Sequence, residues 1–287
     1  MIRARLAIGL ALALAACAKA PETPAHPALW RVADRDTTIW LFGSIHALPP
    51  RVAWQTPTVA GAIAAADTLI LEVPPADDAA ARAQFLALAE QPGLPPLLDR
   101  LAAADRATLA RGMAVAGQSP ETLDGLKTWA AALTISAGAG HLSDSDAANG
   151  VEALLTRAFA GKAIGALESR EGQLRLFDRL PAESQRTLLI AAARDALSAA
   201  KGDAALRTAW MAGDAAGLAA DVAPLQRDPA MGAALVTDRN ARWASAIARR
   251  LARPGRVFVA VGAGHLVGPG SVVAMLQARG LKVERVE

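Results

Sequence analysis

The chain has 287 residues, a formal net charge of +3 and 53% hydrophobic residues, with no tyrosine and a single cysteine. A chain this long and this apolar builds a sizeable core. One cysteine rules out an internal disulfide, the absence of tyrosine removes phenol as a catalytic acid, and a nearly balanced charge without a basic stripe argues against a nucleic-acid partner.

Arg3 and Arg5 precede an apolar run, Leu6 to Ala16, that is too short to span a bilayer and fits a signal peptide. It closes on Leu14-Ala15-Ala16-Cys17, which resembles the signal of bacterial lipoproteins, whose cysteine becomes the lipidated first residue. This divides the chain into a leader (1–16), a Pro/Ala tether (17–27) and a single domain (28–287). It implies membrane lipid as a partner through Cys17 and a place in the cell envelope, at the outer membrane facing the periplasm. Losing Arg3 and Arg5 with the leader lowers the charge to +1, two fewer than the full chain. His26, in the tether, is expected to be solvated.

Leu29 to Val32 and Thr38 to Phe42 read as short strands around a turn at Asp34-Arg35-Asp36. Gly43 ends the second, and His46 follows in Gly43-Ser44-Ile45-His46. Thr56-Pro57 opens a helix with Thr as cap and Pro at its first position. Thr68 to Leu71 is a buried strand delivering Glu72. Asp77 to about Ala139 is Ala/Leu-rich and helical, broken at Pro92-Gly93, Pro95-Pro96 and Ser119-Pro120. The polar loop 138–149 holds His141, Asp144 and Asp146 at a spacing that matches no calcium motif and reads as solvated. A short helix from Gly150 to Ala160 leads to a strand, Ala163 to Leu167, that delivers Glu168. Arg170 to about Gly202 reads as helical with a start at Pro181, and Asp228-Pro229 opens a helix running to Arg253. Val257 to Val261 is apolar and β-branched, as a fully buried strand is. Gly262-Ala263-Gly264 then delivers His265, before a last helix and a strand from Leu281 to Val286. Strands alternating with helices at both ends, around a helical block, predict an α/β fold: a mixed central sheet sandwiched by helices, with a large helical insertion.

Strand followed by Gly-x-x-His thus occurs twice, and two further strands end in glutamate. Gly43 and Gly262 are expected to let the chain leave its strand sharply, positive φ being one means. His46, His265, Glu72 and Glu168 form a common ligand set for Zn, Mn, Co or Fe. The same groups also work without a metal, with His as general base and Glu as its orienter or proton acceptor.

Five segments carry a resemblance to the TraB/PrgY/GumN family, whose wider relatives include the Tiki proteases. They are LWRVADRDTTIWLFGSIH (29–46), LILEVP (69–74), GVEALLTRAFAGKAIGALESREGQ (150–173), TDRNARW (237–243) and VFVAVGAGHLVGPGSVVAMLQARGLKVERV (257–286). The family's two Gly-x-x-His motifs and their glutamates map onto His46, His265, Glu72 and Glu168. Gln173 and the Arg239-Asn240 pair sit in similar segments. Glu152 departs from the pattern, which has Asp after Gly-Val.

The resemblance implies a lipid-anchored hydrolase, most simply a metal-dependent one acting on peptides. On that reading His46 and His265 ligate a divalent ion (Mn, Co, Zn or Fe), with one of Glu72 and Glu168 as a further ligand and the other as general base. Arg239 holds a substrate carboxylate or oxyanion, and Gln173 and Asn240 line the substrate site. Relatives of the erythromycin-esterase type imply instead a metal-free His/Glu esterase. Relatives of the ChaN type imply a binding protein for haem or a peptide.

Overall fold

A computed structural model describes residues 22–140 and 144–287, with the side chains of 199–202 excepted. Cys17, the leader and His141 lie outside the described residues. Among the described residues, eight strands form two sheets. In the smaller, β1 (Thr23–Pro24) pairs in parallel with β4 (Val52–Ala53). The larger contains β2 (Leu29–Ala33), β3 (Thr37–Ser44), β5 (Thr68–Leu71), β6 (Ala163–Ala166), β7 (Gly255–Gly262) and β8 (Val283–Arg285), in the order β6-β5-β7-β3-β2-β8. The four strands β6, β5, β7 and β3 are mutually parallel; β2 runs antiparallel to β3, and β8, antiparallel to β2, runs in the direction of the four. The expected mixed sheet is therefore present.

β7 lies at the centre for a reason visible in its composition. Val257, Phe258, Val259, Ala260 and Val261 are each no more than 1% exposed, so both faces of the strand are covered. Helices α1 (Pro57–Ala65), α6 (Val151–Ala158), α11 (Asp238–Leu251) and α12 (Val272–Gln277) place Val59, Leu155, Trp243, Ile247 and Leu276 in the same core. An aromatic cluster fills one region of it. Phe42 lies 5.3 Å from Trp54 and 5.7 Å from Phe258, ring to ring, and Phe159 lies 6.3 Å from Phe258.

The inserted helical block has a core of its own. It is built by α2 (Asp78–Ala89), α3 (Ala103–Val115), the single turn α4 (Pro120–Leu123), α5 (Thr128–Gly140) and the first half of α8 (Ala182–Met211), around Trp129, Ile135, Leu109 and Leu189. α3 and α8 touch at the backbone: a Cβ on Gly112 would stand 2.6 Å from the Ala193 carbonyl oxygen. The 30-residue α8 spans both cores, contributing Leu189 and Ala193 to one and Trp210 to the other. It runs well past Gly202, where a helix end was expected, because packing at both ends outweighs the roughly 1 kcal/mol that a mid-helix glycine costs. α7 (Arg170–Asp178) and α8 are separate helices, broken before Pro181.

Three further expectations change. The tether does not extend to residue 27: β1 is paired, Ala25 is buried, and the His26 N–H donates to the Met211 carbonyl at 2.7 Å. The His26 ring is exposed and meets Glu287 at 3.1 Å. After α9 (Ala215–Gln226), the helix expected from Asp228 is present without a break but widens inside. A short α10 (Pro229–Met231) gives way to a π-helical turn, Gly232–Thr237, before α11. Finally, Gly262 has φ −46° and Gly43 is not left-handed. Gly43 is needed for space, since a Cβ there would stand 2.9 Å from both Cα and Cβ of Ala263.

Candidate functional site

Because β3, β5, β6 and β7 are parallel, their C-terminal ends share one edge of the sheet, the edge where open α/β sheets bind ligands. His46, Glu72, Glu168 and His265 each follow one of those strands within three residues. The four strand-end groups that the sequence singles out therefore converge on one edge.

Arg239 stands among them, delivered by the first turn of α11 and only 6% exposed. Its Nε donates to both oxygens of Glu168 at 3.2 Å. Nη2 donates to Glu72 and lies 3.1 Å from Glu168 Oε2. Nη1 donates to the Leu235 carbonyl at 3.3 Å and meets His265 Nε2 at 3.3 Å. A guanidinium has five N–H groups and no acceptor, and here all three of its nitrogens have partners within the protein. Arg239 thus braces both glutamates from within the site. The π-helical turn that precedes α11 supplies the Leu235 carbonyl.

Gln173 and Asn240, expected to line the substrate site, are likewise engaged inside it. Gln173 Nε2 donates to Glu72. Asn240 Nδ2 donates to the Gly270 carbonyl at 2.8 Å, and its Oδ1 is 2.6 Å from His265 Nδ1. This fixes the tautomer of His265. Arg239 can only donate, so Nε2 is the bare nitrogen and Nδ1–H donates to Asn240. Burial, reinforced by Arg239, lowers the pKa of His265 to about 4, against the opposing pull of Glu72.

His46 is in the opposite state. Its Nδ1 lies 2.9 Å from Glu152 Oε1, to which the Ser44 hydroxyl also donates at 2.7 Å. The hydrogen bond and then the charge of Glu152 raise its pKa to about 9. The ring is 81% exposed, so water screens the charge part of that pairing. Burial acts to raise the pKa of Glu72, but Arg239 and then His265 outweigh it and hold the group below the usual carboxylate range. Glu152 is held down in the same way, burial being outweighed by His46 and Ser44.

Two members of the site were not singled out from the sequence as functional. Trp243, one helical turn after Arg239, donates from Nε1 to Glu168 Oε1 at 3.0 Å. Its ring lies 4.5 Å from the Arg239 guanidinium and 4.6 Å from the His265 ring. The i, i+4 spacing from Arg239 was the available signal. Glu152 stood out only as a departure from a pattern, because its partner lies over a hundred residues away.

The donor set was tested against a divalent ion. Among the described residues, no three His, Cys, Asp or Glu side chains are gathered closely enough to hold one. Glu168 has both oxygens filled by Arg239 and Trp243. The charges already balance, with Glu72, Glu152 and Glu168 facing Arg239, Arg242 and protonated His46. As they stand, these residues do not fit a metal.

A family model, that of the TraB/PrgY/gumN family, matches residues 28–285. The chain belongs to this family. No curated protein and no solved structure matches it. The TraB/PrgY/GumN match spans both Gly-x-x-His motifs and every residue of the network described above.

The two histidines make opposite contributions to stability. With an unfolded value of about 6.5, the lowered pKa of His265 stabilises the fold above that pH, a contribution lost as pH falls toward about 4. The raised pKa of His46 stabilises below about pH 6.5 and is lost as pH rises through about 9. Denaturant titrations at stepped pH are expected to show stability declining on both sides of about pH 6.5, with the alkaline decline absent in His46→Gln. Stability that rises steadily from pH 6.5 to 9 would contradict the His46–Glu152 pairing.

Proposed function

We propose that this chain is a hydrolase that adds water to a carbonyl carbon, at the edge shared by β3, β5 and β7. The observation that carries the reading is the matched pair of imidazoles. Each is held at Nδ1 by a side-chain oxygen, Glu152 for His46 and Asn240 for His265, so that Nε2 is the nitrogen turned to chemistry in both rings, met in His265 by Arg239 Nη1 at 3.3 Å. Environments that push two titratable groups apart assign one as acid and the other as base.

His265, neutral, accepts at Nε2 from Arg239 Nη1 in the resting site; as that donor gives way, Nε2 takes a proton from water while the water oxygen bonds to the carbonyl carbon. His46, protonated and open to solvent, gives its Nε2 proton to the leaving amine or alkoxide as that bond breaks. Glu72 interacts electrostatically with both rings and steadies the imidazolium that forms on His265. Arg239 keeps Glu72 ionised and in place. Peptides are the preferred substrates, a preference that rests on family resemblance.

A second reading, a metal-dependent hydrolase, is favoured by one observation. Histidines that ligate metals are usually held at their other nitrogen by a side-chain or backbone oxygen, and both rings are held so here. That reading requires Arg239 to withdraw from Glu72 and Glu168 as well as from His265.

The test pairs hydrolysis of a peptide and ester panel with metal analysis, with and without a chelator. His46→Ala and His265→Ala are each expected to lose about 10²–10⁴-fold in rate with the fold intact, and the chelator to leave the wild-type rate unchanged. Activity abolished by the chelator and restored by Mn²⁺ or Co²⁺ would establish the metal-dependent reading. No turnover together with a haem Soret band on reconstitution would replace catalysis with binding.

We also propose attachment to the envelope membrane through lipidated Cys17, supported by the Leu14-Ala15-Ala16-Cys17 pattern. No helix among the described residues is long and apolar enough to cross a membrane. Cys17→Ala is expected to abolish incorporation of a lipid label; a label retained in that variant refutes the anchor.

A further inference from the structure

His46 sits on a loop, Ile45 to Leu48, that would leave an exposed ring free to turn. The start of α6 is stitched to that loop. The Val151 N–H donates to the Ile45 carbonyl at 3.1 Å. Gly150, the cap of α6, packs so closely that a Cβ there would stand 2.0 Å from the His46 carbonyl oxygen, so no other residue fits. A second bridge ties the loop down farther along, where Leu48 and Asp146 exchange backbone hydrogen bonds of 3.2 and 2.9 Å.

With the backbones joined in this way, Glu152 falls in the first turn of α6, where the helix dipole favours a carboxylate. Its Oε1 lies 2.9 Å from His46 Nδ1. The Ser44 hydroxyl donates to the same oxygen at 2.7 Å and fixes its direction.

We propose that Glu152 is the positioning residue of this site, holding His46 through Nδ1–H, both in the protonated ring and in the neutral Nδ1–H tautomer left when the Nε2 proton is given up, with Nε2 turned toward substrate. It acts through His46 rather than by touching the reacting atoms. The proposal rests on His46 as the proton-transfer residue. Sequence alone gives Glu152 only as a longer carboxylate where the family pattern has Asp. The structure gives the extra length a task, reaching a ring on the neighbouring loop while sharing an oxygen with Ser44.

Two variants of the full-length protein and three readouts test it. Glu152→Met keeps the size and removes the acceptor. Glu152→Gln keeps an acceptor oxygen, which the Ser44 hydroxyl holds toward His46. Nitrogen-15 chemical shifts of the His46 ring, read above about pH 9 where the ring is neutral, report the tautomer directly, whether or not a substrate is known. Turnover on the best substrate of the peptide and ester panel reports kcat and KM separately, and thermal melting reports folding.

Glu152→Met is expected to lose the Nδ1–H tautomer and about 10–100-fold in kcat, with KM little changed. Glu152→Gln is expected to keep the tautomer and recover most of the rate. A His46 ring that stays in the Nδ1–H form in folded Glu152→Met overturns the proposal, whatever the rate. A tautomer lost with kcat unchanged overturns the role given to His46, and the proposal falls with it. If Glu152→Met fails to fold, loss of the Nδ1–H form in folded Glu152→Gln overturns it, and retention with most of the rate supports it.

Discussion

The site depends on one buried cation. Arg239 is almost wholly enclosed and binds Glu72, Glu168, His265 and the Leu235 carbonyl at once. A buried guanidinium is tolerated only when its charge and its donors are all met, and removing one partner of such a pair typically costs about 3–5 kcal/mol. Each partner therefore limits where the others lie. Glu72 and Glu168 end strands β5 and β6, His265 follows β7, and Leu235 belongs to the helical turn before α11. One side chain ties three strand ends and a helix into a rigid floor.

On that floor the two imidazoles play different parts because their surroundings differ. His265 is set among Trp243, Asn240 and Arg239, where a second positive charge is unwelcome. His46 lies open to water beside Glu152, where a positive charge is favoured. Sheet geometry brings the rings to a common edge, and local contacts separate their protonation states. The helical block is tied to the sheet by α8, whose two ends belong to different cores, and α7, immediately before it, brings Gln173 to Glu72.

The sheet was legible in the sequence because its signals are local. Runs such as Val257 to Val261 are apolar on both faces, and a glycine or a charged residue marks where each ends. Those patterns place His46, Glu72, Glu168 and His265 at strand ends, and parallel pairing puts the ends together. The partners of Arg239 were not legible. Glu72 is 167 residues away in sequence and Glu168 is 71, so nothing near Arg239 reveals them. The same holds for Glu152 and His46. The π-helical turn at Gly232–Thr237 also escaped the sequence pattern, because helical periodicity hardly changes over a single wide turn. The reason for Gly43 is equally non-local, since the atom that excludes a side chain belongs to Ala263.

If Arg239 is an internal scaffold for Glu72, Glu168 and His265, its guanidinium is held in place in the resting protein. Nitrogen-15 spectra of the guanidinium report whether its N–H groups are held. The account predicts separate, slowly exchanging Nε and Nη protons for Arg239, unchanged when Mn²⁺ is added. Averaged Nη protons of a freely rotating guanidinium, or a network released by the metal ion, would contradict it.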